Sequence, residues 1–291
     1  MKEVLKKIGM VLGFALIIAG LYFAYTLVSE TVGGKGEVHI EFIKTEKDAD
    51  ATLICQEGMA ILIDAGEEDD ADSVISTLKQ YNIEHLNYLI LSHGDKDHIG
   101  SVKRVMEEVS IGKVIAPYYT GSDEMKELLK DIDEKGISIL YPAHNMHISA
   151  GEIDINCYPC LEKHYSDENN YSLAVLIRHH NINMLFTGDA LRVRSEELLR
   201  IHWRNIALYK VPHHGRANSK SMSLFEEVNP EIAVVTSSKC DEEIEEAANE
   251  CGSMLLYTRP DGLSFVSDGK VLTYIQKVNA PEESEDSEGS L

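Results

Sequence analysis

The chain has 291 residues, which is enough for one large α/β domain or two small ones around a buried core. Its formal net charge of −22 argues against a protein that coats nucleic acid through bulk electrostatics, although it leaves room for a local basic site. Its five cysteines are too few and too scattered for a framework of disulfides.

The N-terminal segment has the pattern of a membrane anchor. Residues 8–28 carry no charged side chain, and this is about the length that a helix needs to cross a bilayer. Three lysines precede it, so the positive-inside rule places the N-terminus in the cytoplasm and the rest of the chain outside. Secretion after signal cleavage is the alternative, but no clear A-x-A site follows. We expect a single-pass transmembrane helix as an anchor over residues 1–29 and a linker over residues 30–36.

Strand-like and helix-like patterns alternate between residues 37 and 277. The first three strands, EVHIEFI, ATLICQ and MAILID, are joined by short turns, which predicts that the sheet begins antiparallel. A helix is predicted from about residue 70 to residue 81, and the alternation continues after it. Several strands are apolar throughout, as expected when both faces of a sheet are covered. We therefore predict one domain of two sheets flanked by helices over residues 37–277, followed by an acidic disordered tail over residues 278–291.

Several segments that contain histidine or cysteine have ordinary structural explanations. The segment PAHNMHISAGE, with His144 and His147, is predicted to be a loop, and RHHNIN, with His179 and His180, is predicted to be a surface turn between two strands. The segment CYPC alternates like a strand, so two ordinary thiols or one incidental disulfide are predicted rather than a redox motif. A helix is predicted from about residue 193 to residue 203.

One short segment, LILSHGDKDHIGS at residues 89–101, concentrates metal-ligand side chains after an apolar strand. Residues two apart in an extended segment point to the same side, so His93, Asp95 and Asp97 can converge where the strand ends. His98 opens the next turn and can approach from the other side. This is more than one tetrahedral ion takes from so short a loop, so two adjacent ions are the simpler prediction. A polar loop that caps the next helix is the alternative, but it does not explain both histidines.

Two other strands end in side chains of the same kind. The segment MLFTGDA ends its strand at Gly188 and Asp189, where the glycine permits a tight turn and the carboxylate can bridge two cations. The segment ALYKVPHHGR places His213 and His214 at the end of another strand. Neighbouring strand residues face opposite ways, so one of these histidines should reach the metal while the other faces substrate or supports the site. Functional strand ends gather at one edge of an α/β sheet, so the three segments predict one site.

The segments ILIDAG, SHGDKDHIGS, LFTGD and KVPHHG together resemble the motifs of the metallo-β-lactamase superfamily. The likeness is greatest to the extracytoplasmic hydrolase domain of competence proteins of the ComEC type and to their stand-alone relatives. It covers about residues 37–276. The resemblance implies a four-layer αββα sandwich of the α/β class, with a dinuclear metal site at one edge.

The resemblance also implies a role for each motif residue. Asp189 would bridge the two metal ions. The other implied ligands are His93 and Asp95 for one ion, and Asp97, His98 and either His213 or His214 for the other. Asp97 would also act in catalysis, while Asp64 in ILIDAG would support the metal loop without binding metal.

The chain departs from the superfamily pattern in ways that bear on the metal. Asp95 replaces the middle histidine of the usual HxHxDH motif, as in ComEC-like members. The separate histidine expected between His98 and Asp189 is not evident, and Asn169 and Asn170 lie nearest its place, so the first metal position is expected to be weakly held or filled partly by water. The segment TEKDADA replaces the VGQGDA of ComEC-like members. Two Zn²⁺ ions are expected, and Mn²⁺ is the alternative, because three carboxylates and three imidazoles are a harder ligand set than the histidine-rich site of the lactamases.

Two cations a few ångströms apart suit hydrolysis of a phosphate ester by an activated water, because they stabilise charge on the attacking and leaving oxygens. Seven basic side chains and two acidic ones lie between residues 192 and 220, which favours an anionic substrate. Arg216, Lys220 and Asn170 are the candidate substrate contacts. The sequence thus predicts a phosphodiesterase or nuclease, with single-stranded nucleic acid as one candidate substrate. Hydrolysis of a C–N or thioester bond, as in β-lactamases, and a non-catalytic anchored metal-binding module are the alternatives.

Overall fold

A computed structural model describes residues 36–275 of the chain. The predicted membrane anchor and the acidic tail lie outside this range and stay predictions. Within the range, none of the helices combines the length and the apolar character needed to span a membrane.

The described residues form fifteen strands and seven α-helices. The strands are β1 (Val38–Phe42), β2 (Thr52–Gln56), β3 (Met59–Ile63), β4 (His85–Ile90), β5 (Ser110–Ile115), β6 (Ser138–Leu140), β7 (Met146–Ala150), β8 (Ile153–Tyr158), β9 (Ala174–His179), β10 (Ile182–Phe186), β11 (Ile206–Lys210), β12 (Ile232–Val235), β13 (Met254–Tyr257), β14 (Leu263–Ser267) and β15 (Leu272–Ile275). The helices are α1 (Ala71–Gln80), α2 (Lys96–Ile99), α3 (Val102–Glu108), α4 (Asp123–Glu134), α5 (Arg192–Leu198), α6 (Ser221–Val228) and α7 (Glu242–Cys251). Single 3₁₀ turns occur at Glu68–Asp70, Glu168–Tyr171 and Pro212–Gly215.

The strands form two mixed sheets. One sheet has the order β15-β14-β1-β2-β3-β4-β5-β6, and the other has the order β13-β12-β11-β10-β9-β8-β7. The neighbours β1, β2 and β3 pair antiparallel, which confirms that the first sheet begins antiparallel. Strands separated by helices, such as β3 and β4 or β10 and β11, pair parallel. The helical crossover between them returns the chain to the end of the sheet from which the first strand started. The carboxyl ends of these parallel strands therefore lie together.

The two sheets pack face to face, and helices cover their outer faces. Side chains such as Ile40, Phe42, Phe186 and Phe265 fill the layer between the sheets. A second apolar cluster lies between the first sheet and helices α1, α3 and α4, and a third lies between the second sheet and helices α5, α6 and α7. Burial of apolar surface in these three layers is the main stabilising contribution. The four-layer αββα arrangement confirms the fold predicted from the sequence.

Two histidine-containing segments differ in part from their predicted structures. Part of the predicted loop PAHNMHISAGE forms β7 and pairs antiparallel with β8, so His147 lies on a strand. The turn predicted at RHHNIN is confirmed between β9 and β10, with His180 exposed in it, but His179 is the last residue of β9 and is fully buried. Its Nδ1 lies 2.8 Å from Ser267 Oγ, so the imidazole keeps a hydrogen bond at that nitrogen inside the protein. Tertiary contacts with β8 and β14 decide both outcomes.

Helix α5 is shorter than the sequence predicts. The helix ends at Leu198 rather than near residue 203, and the buried indole of Trp203 donates from Nε1 to Leu198 O at 3.2 Å, which satisfies a carbonyl at the end of the helix.

The cysteines of CYPC do not form a disulfide. Cys157 and Cys160 are buried free thiols, and burial raises the pKa of Cys157 to about 12. A thiol of this kind is protonated and unreactive at neutral pH, which agrees with ordinary thiols rather than a redox motif.

Candidate metal centre

Side chains from four strand ends meet at one edge of the two sheets. Asp64 follows β3 and His93 comes shortly after β4 in the first sheet, whereas Asp189 follows β10 and the turn after β11 carries His214 in the second sheet. The strands of each pair are parallel neighbours, so their carboxyl ends deliver these side chains to the same edge. All four side chains are almost completely buried.

Asp97, His98, Asp189 and His214 form a compact set, called here the metal group, whose ligand atoms all lie within 4.8 Å of one another. His214 Nε2 lies 3.0 Å from Asp97 Oδ2 and 3.1 Å from Asp189 Oδ2. His98 Nε2 lies 3.3 Å from Asp189 Oδ1 and 3.9 Å from Asp97 Oδ2. Two imidazoles and two carboxylates at these separations are a donor set that suits a divalent ion.

The turn after β11 decides which of two adjacent histidines joins the metal group. His213 and His214 both adopt the left-handed backbone conformation, with φ of 52° and 53°. Non-glycine residues avoid this region at a cost of about 1 kcal/mol or more each, so the surrounding structure must hold the turn in place. The turn brings His214 to Asp97 and Asp189, while His213 stays half-buried outside the group. His214 Nδ1 lies 3.0 Å from Thr236 Oγ1, which orients the ring.

Gly188 is required by the turn that presents Asp189. Its φ is 54°, and a Cβ at this position would lie 2.7 Å from Ser172 Oγ. The same hydroxyl accepts a hydrogen bond from Asp189 N at 3.0 Å. The glycine of the TGD segment therefore permits a close approach that fixes the position of the Asp189 backbone.

Asp64 lies beside the Nδ1 atom of His98. The distance between His98 Nδ1 and Asp64 Oδ2 is 2.8 Å, and the same oxygen accepts a hydrogen bond from Ser92 Oγ at 2.7 Å. Asp64 Oδ1 accepts a further hydrogen bond from Ser92 N at 2.8 Å. An acceptor at Nδ1 leaves the Nε2 lone pair of a neutral ring available to a metal ion, so this contact orients the imidazole and selects its tautomer. Asp64 is thus placed to support the metal loop.

His93 and Asp95 form a more open pair beside the metal group. His93 Nε2 lies 3.5 Å from Asp95 Oδ2, and the ring centroids of His93 and His98 are 4.1 Å apart. Both imidazoles are fully buried, yet neither Nε2 atom makes a hydrogen bond of good geometry with residues 36–275, although Asp189 Oδ1 lies 3.3 Å from that of His98. A buried polar atom without a partner is costly unless an ion or a water binds it. These orphaned nitrogens and the surrounding donor set therefore fit divalent metal ions.

The chain between His98 and Asp189 supplies no histidine to the metal group, as far as residues 36–275 show. His164, which lies near the expected place in the sequence, is exposed. Asn170 is buried, and its Oδ1 accepts a hydrogen bond from Arg194 N at 3.0 Å, at the start of helix α5. Its predicted contact with substrate stays a prediction.

The electrostatics of the metal group favour cations. Burial works to lower the pKa of His98 and of His214, but the carboxylates of Asp189 and Asp50 outweigh it. Both pKa values are raised well above 6.5. Burial works to raise the pKa of Asp189, but His214, Lys210 and His98 hold that pKa well below 3.8. The metal-free group therefore keeps protons on its imidazoles, and a divalent ion would take their place.

Asp50 and Lys210 belong to this site, although the sequence did not single them out. The buried Lys210 ammonium forms an ion pair with Asp50 and lies 3.1 Å from Asp189 Oδ1. A signal for Lys210 was present, because it ends the strand IALYK, and a lysine in a strand buried at every position needs an anionic partner. Asp50 lies in the segment TEKDADA, whose local pattern does not show which of its charges turns inward.

A polar cleft of about 570 Å³ opens beside the metal loop. Asp95 and Asp97 line it, together with residues around Gly121 and Glu168. Glu168 fastens these walls to one another, because its Oε1 accepts from Gly94 N at 3.2 Å and its Oε2 accepts from Gly121 N at 2.7 Å. Asp97 therefore connects the metal group to a space that is large enough for part of a substrate.

The predicted substrate contacts Arg216 and Lys220 follow the metal group in the chain. Arg216 Nη2 lies 3.0 Å from an oxygen of Asp48, and Lys220 Nζ lies 3.7 Å from an oxygen of Glu196. Two other cations of the basic stretch, Arg194 and Lys210, are buried in ion pairs and are not available to a substrate. The local excess of positive charge is thus partly paired within the protein.

An αββα sandwich with candidate metal ligands clustered at the edge of its sheets is the architecture of the metallo-β-lactamase superfamily. A comparison of the sequence with protein-family models gives the same result. The Metallo-beta-lactamase superfamily model matches residues 45–237. The chain belongs to this superfamily, which implies a metallo-hydrolase and the binding of a divalent metal.

The relatives of the chain include two proteins that support its resemblance to competence proteins of the ComEC type. ComE operon protein 3 of Bacillus subtilis (strain 168) is 22% identical over 169 residues, and Recombination protein 2 of Haemophilus influenzae is 27% identical over 200 residues. These matches cover 57% and 65% of this chain but 22% and 23% of the relatives. The chain therefore matches less than a quarter of the length of each relative.

One solved structure shares most of the fold. The metallo-beta-lactamase fold protein YhfI from Bacillus subtilis has a TM-score of 0.58 and 14% sequence identity, over 79% of this chain and 100% of that chain. At this level of identity, the likeness concerns the fold alone.

Proposed function

We propose that this chain is a metal-dependent phosphodiesterase or nuclease that hydrolyses a phosphate ester at the metal group. The observation that carries the proposal is the meeting of two carboxylates and two imidazoles within 4.8 Å, beside a polar cleft. Carboxylates, and imidazoles that release their protons when the ion binds, supply what a divalent ion needs, and an open cleft supplies access for the substrate.

The donor set supports phosphate chemistry. The metal group would hold one ion and the pair of His93 and Asp95 would hold a second, with Zn²⁺ as the first candidate and Mn²⁺ as the alternative. When bound, such ions lower the pKa of water and stabilise the charge that develops on phosphate oxygens. Burial works to raise the pKa of Asp97, but His214 and His98 hold it below 3.8, so Asp97 meets the cleft as an anion.

Single-stranded nucleic acid is the proposed substrate among phosphate esters. The name of one relative, Recombination protein 2, supports this choice, because recombination is a process of DNA. Arg216 and Lys220 keep part of their side chains exposed and are the proposed contacts to phosphate, with Asn170 as a further proposed contact. The net charge of −22 opposes non-specific coating of nucleic acid, so the proposed interaction is local to the site.

The test compares the purified chain with its Asp189→Ala variant. The wild-type chain should contain about two metal ions and cleave bis-p-nitrophenyl phosphate or single-stranded DNA, while Asp189→Ala should lose the activity. Asp72→Asn, at an exposed carboxylate on α1 paired with Arg104, is the matched control. Full activity of the Asp189→Ala variant would contradict the proposal. Rapid nitrocefin turnover without phosphodiester cleavage would assign the chain to C–N bond hydrolysis instead, and stoichiometric metal without any hydrolysis would make it a binding module.

We also propose that the hydrolase domain lies outside the cytoplasmic membrane on a single-pass anchor. The uncharged stretch over residues 8–28 and the lysines before it support this orientation. Protease added to intact spheroplasts should then degrade the domain. Protection of the domain would contradict the orientation, and a shorter soluble product in the medium would indicate cleavage and secretion.

A further inference from the structure

A buried lysine shares a carboxylate with the metal group. Lys210 is only 2% exposed. Its ammonium lies 3.1 Å from Asp189 Oδ1, donates to Gly188 O at 3.0 Å and forms an ion pair with Asp50. Lysine is almost never fully buried unless it is paired, so this cation is a built part of the site.

Asp189 divides its two oxygens between different partners. Oδ2 faces His214 Nε2 at 3.1 Å. Oδ1 lies 3.3 Å from His98 Nε2 and 3.1 Å from the Lys210 ammonium. A divalent ion that binds Oδ1 must therefore share this oxygen with the ammonium. Two cations that share one oxygen repel each other, and the repulsion is strong in a buried site of low dielectric constant.

Asp50 acts on the metal group with the opposite sign. Its carboxylate lies 3.3 Å from His214 Nδ1 and 3.7 Å from His98 Nδ1. The ligand atoms of the group approach the same two rings at Nε2, so Asp50 faces the imidazoles from their other side. It therefore influences a metal ion through its charge and through the lysine, and it does not need to bind the ion.

We infer that Lys210 and Asp50 form an internal ion pair that sets how tightly the centre binds divalent ions. The ammonium weakens binding by repelling the ion beside Asp189, and the Asp50 carboxylate strengthens it. Both are positioning residues, because Lys210 acts on the centre through Asp189 and Asp50 acts through the two imidazoles. The inference rests on the metal centre of the proposed function and is independent of the reaction that the centre performs.

Titration of the metal-free full-length chain with Mn²⁺, followed by the electron paramagnetic resonance signal of free Mn²⁺, tests the inference without an activity assay. Lys210→Met should tighten Mn²⁺ binding by at least about tenfold, and Asp50→Asn should weaken it by a similar factor. The double variant Asp50→Asn/Lys210→Met should return to within about threefold of wild type. Lys130→Met, at an exposed lysine on α4 paired with Glu134, is the control and should leave the affinity unchanged.

The double variant keeps the test decisive. Lys210→Met alone leaves the Asp50 carboxylate buried without its partner, which destabilises the fold. Comparison of Asp50→Asn with the double variant isolates the lysine in a background where that carboxylate is neutral, and the double variant should bind about tenfold more tightly. Equal or weaker binding by the double variant would show that the lysine is only structural and would overturn the inference.

The result also separates this inference from the proposed function. If Mn²⁺ binds but the order of affinities is different, only the inference fails. If the order is as expected but no phosphate ester is cleaved, only the proposed function fails. If the wild-type chain binds neither Mn²⁺ nor Zn²⁺, both are wrong.

Discussion

Asp64 Oδ2 lies 2.8 Å from His98 Nδ1, and both side chains are buried. This contact joins the end of β3 to the metal loop that follows β4. It leaves His98 Nε2 directed at Asp189, so the orientation of one ligand depends on a carboxylate that lies behind it. Several of the expected properties of the centre follow from contacts of this kind, in which one residue orients another.

Replacement of Asp64 by asparagine should weaken metal binding. The amide can present an N–H to His98 Nδ1 and thereby select the wrong tautomer, and loss of such a supporting contact costs about 10–100-fold in metal affinity. Metal retained after dialysis, measured by elemental analysis, provides the readout. Asp72→Asn changes an exposed carboxylate and should retain wild-type metal content. Equal retention by both variants would contradict the supporting role.

His214→Ala and His213→Ala should have different effects on metal content. His214 contributes Nε2 to the metal group, whereas its neighbour stays half-buried outside it. His214→Ala should therefore lose the ion of the metal group, and His213→Ala should retain it. Because both substitutions replace a histidine in the left-handed conformation, strain affects the pair alike. Loss of metal from the His213 variant alone would reverse the assignment.

Metal binding should strengthen as the pH rises. Burial works to lower the pKa of His98 and of His214, but the carboxylates of Asp189 and Asp50 raise both well above 6.5. Both rings are therefore protonated near neutral pH in the metal-free protein, and an ion binds only as the protons leave.

The affinity should thus increase with pH beyond about 6.5, the usual pKa of histidine, and level off once the raised pKa values are passed. Calorimetric titration with Zn²⁺ in buffers of different ionisation enthalpy counts the protons, and up to about two should leave per ion. Release of no protons and an affinity independent of pH would be incompatible with this charge state.

Glu168→Gln should loosen the wall of the cleft. The carboxylate accepts from Gly94 N, from Gly121 N and from Thr120 Oγ1 at 2.6 Å, and an amide cannot accept at both of its ends. Loss of these charge-assisted bonds should lower the free energy of unfolding by about 1–3 kcal/mol. Glu162→Gln, at an exposed carboxylate in the same loop, should leave the melting temperature unchanged. Identical melting curves for the two variants would show that Glu168 does not hold the walls of the cleft together.

The buried thiols should resist modification in the folded protein. Burial raises the pKa values of Cys55 and Cys157 to about 12, so both remain protonated at pH 8. Cys240 and Cys251 are partly exposed. Mass spectrometry after brief treatment with iodoacetamide should find label on the partly exposed pair first. Early labelling of Cys157 would show that its strand opens more readily than the packing indicates.

Local patterns predicted secondary structure well where the chain repeats a clear period and less well where tertiary contacts decide. The alternation of EVHIEFI and the segments after it predicted antiparallel strands, which β1, β2 and β3 form. The strand β7 was missed, because its hydrophobic pattern is weak and pairing with β8 stabilises it. His179 was expected at the surface, since a hairpin turn gives no sign that another strand will cover its last residue.

The sequence by itself determined the class of fold and the strand ends that carry metal-ligand side chains, because apolar periodicity and short motifs are local properties of the chain. Only the tertiary structure decided which of His213 and His214 enters the metal group, since a strained left-handed turn overrides strand alternation. It alone also brought Asp50 and Lys210 together, because a buried charge is explained only by its partner, and that partner lies on a distant strand or loop.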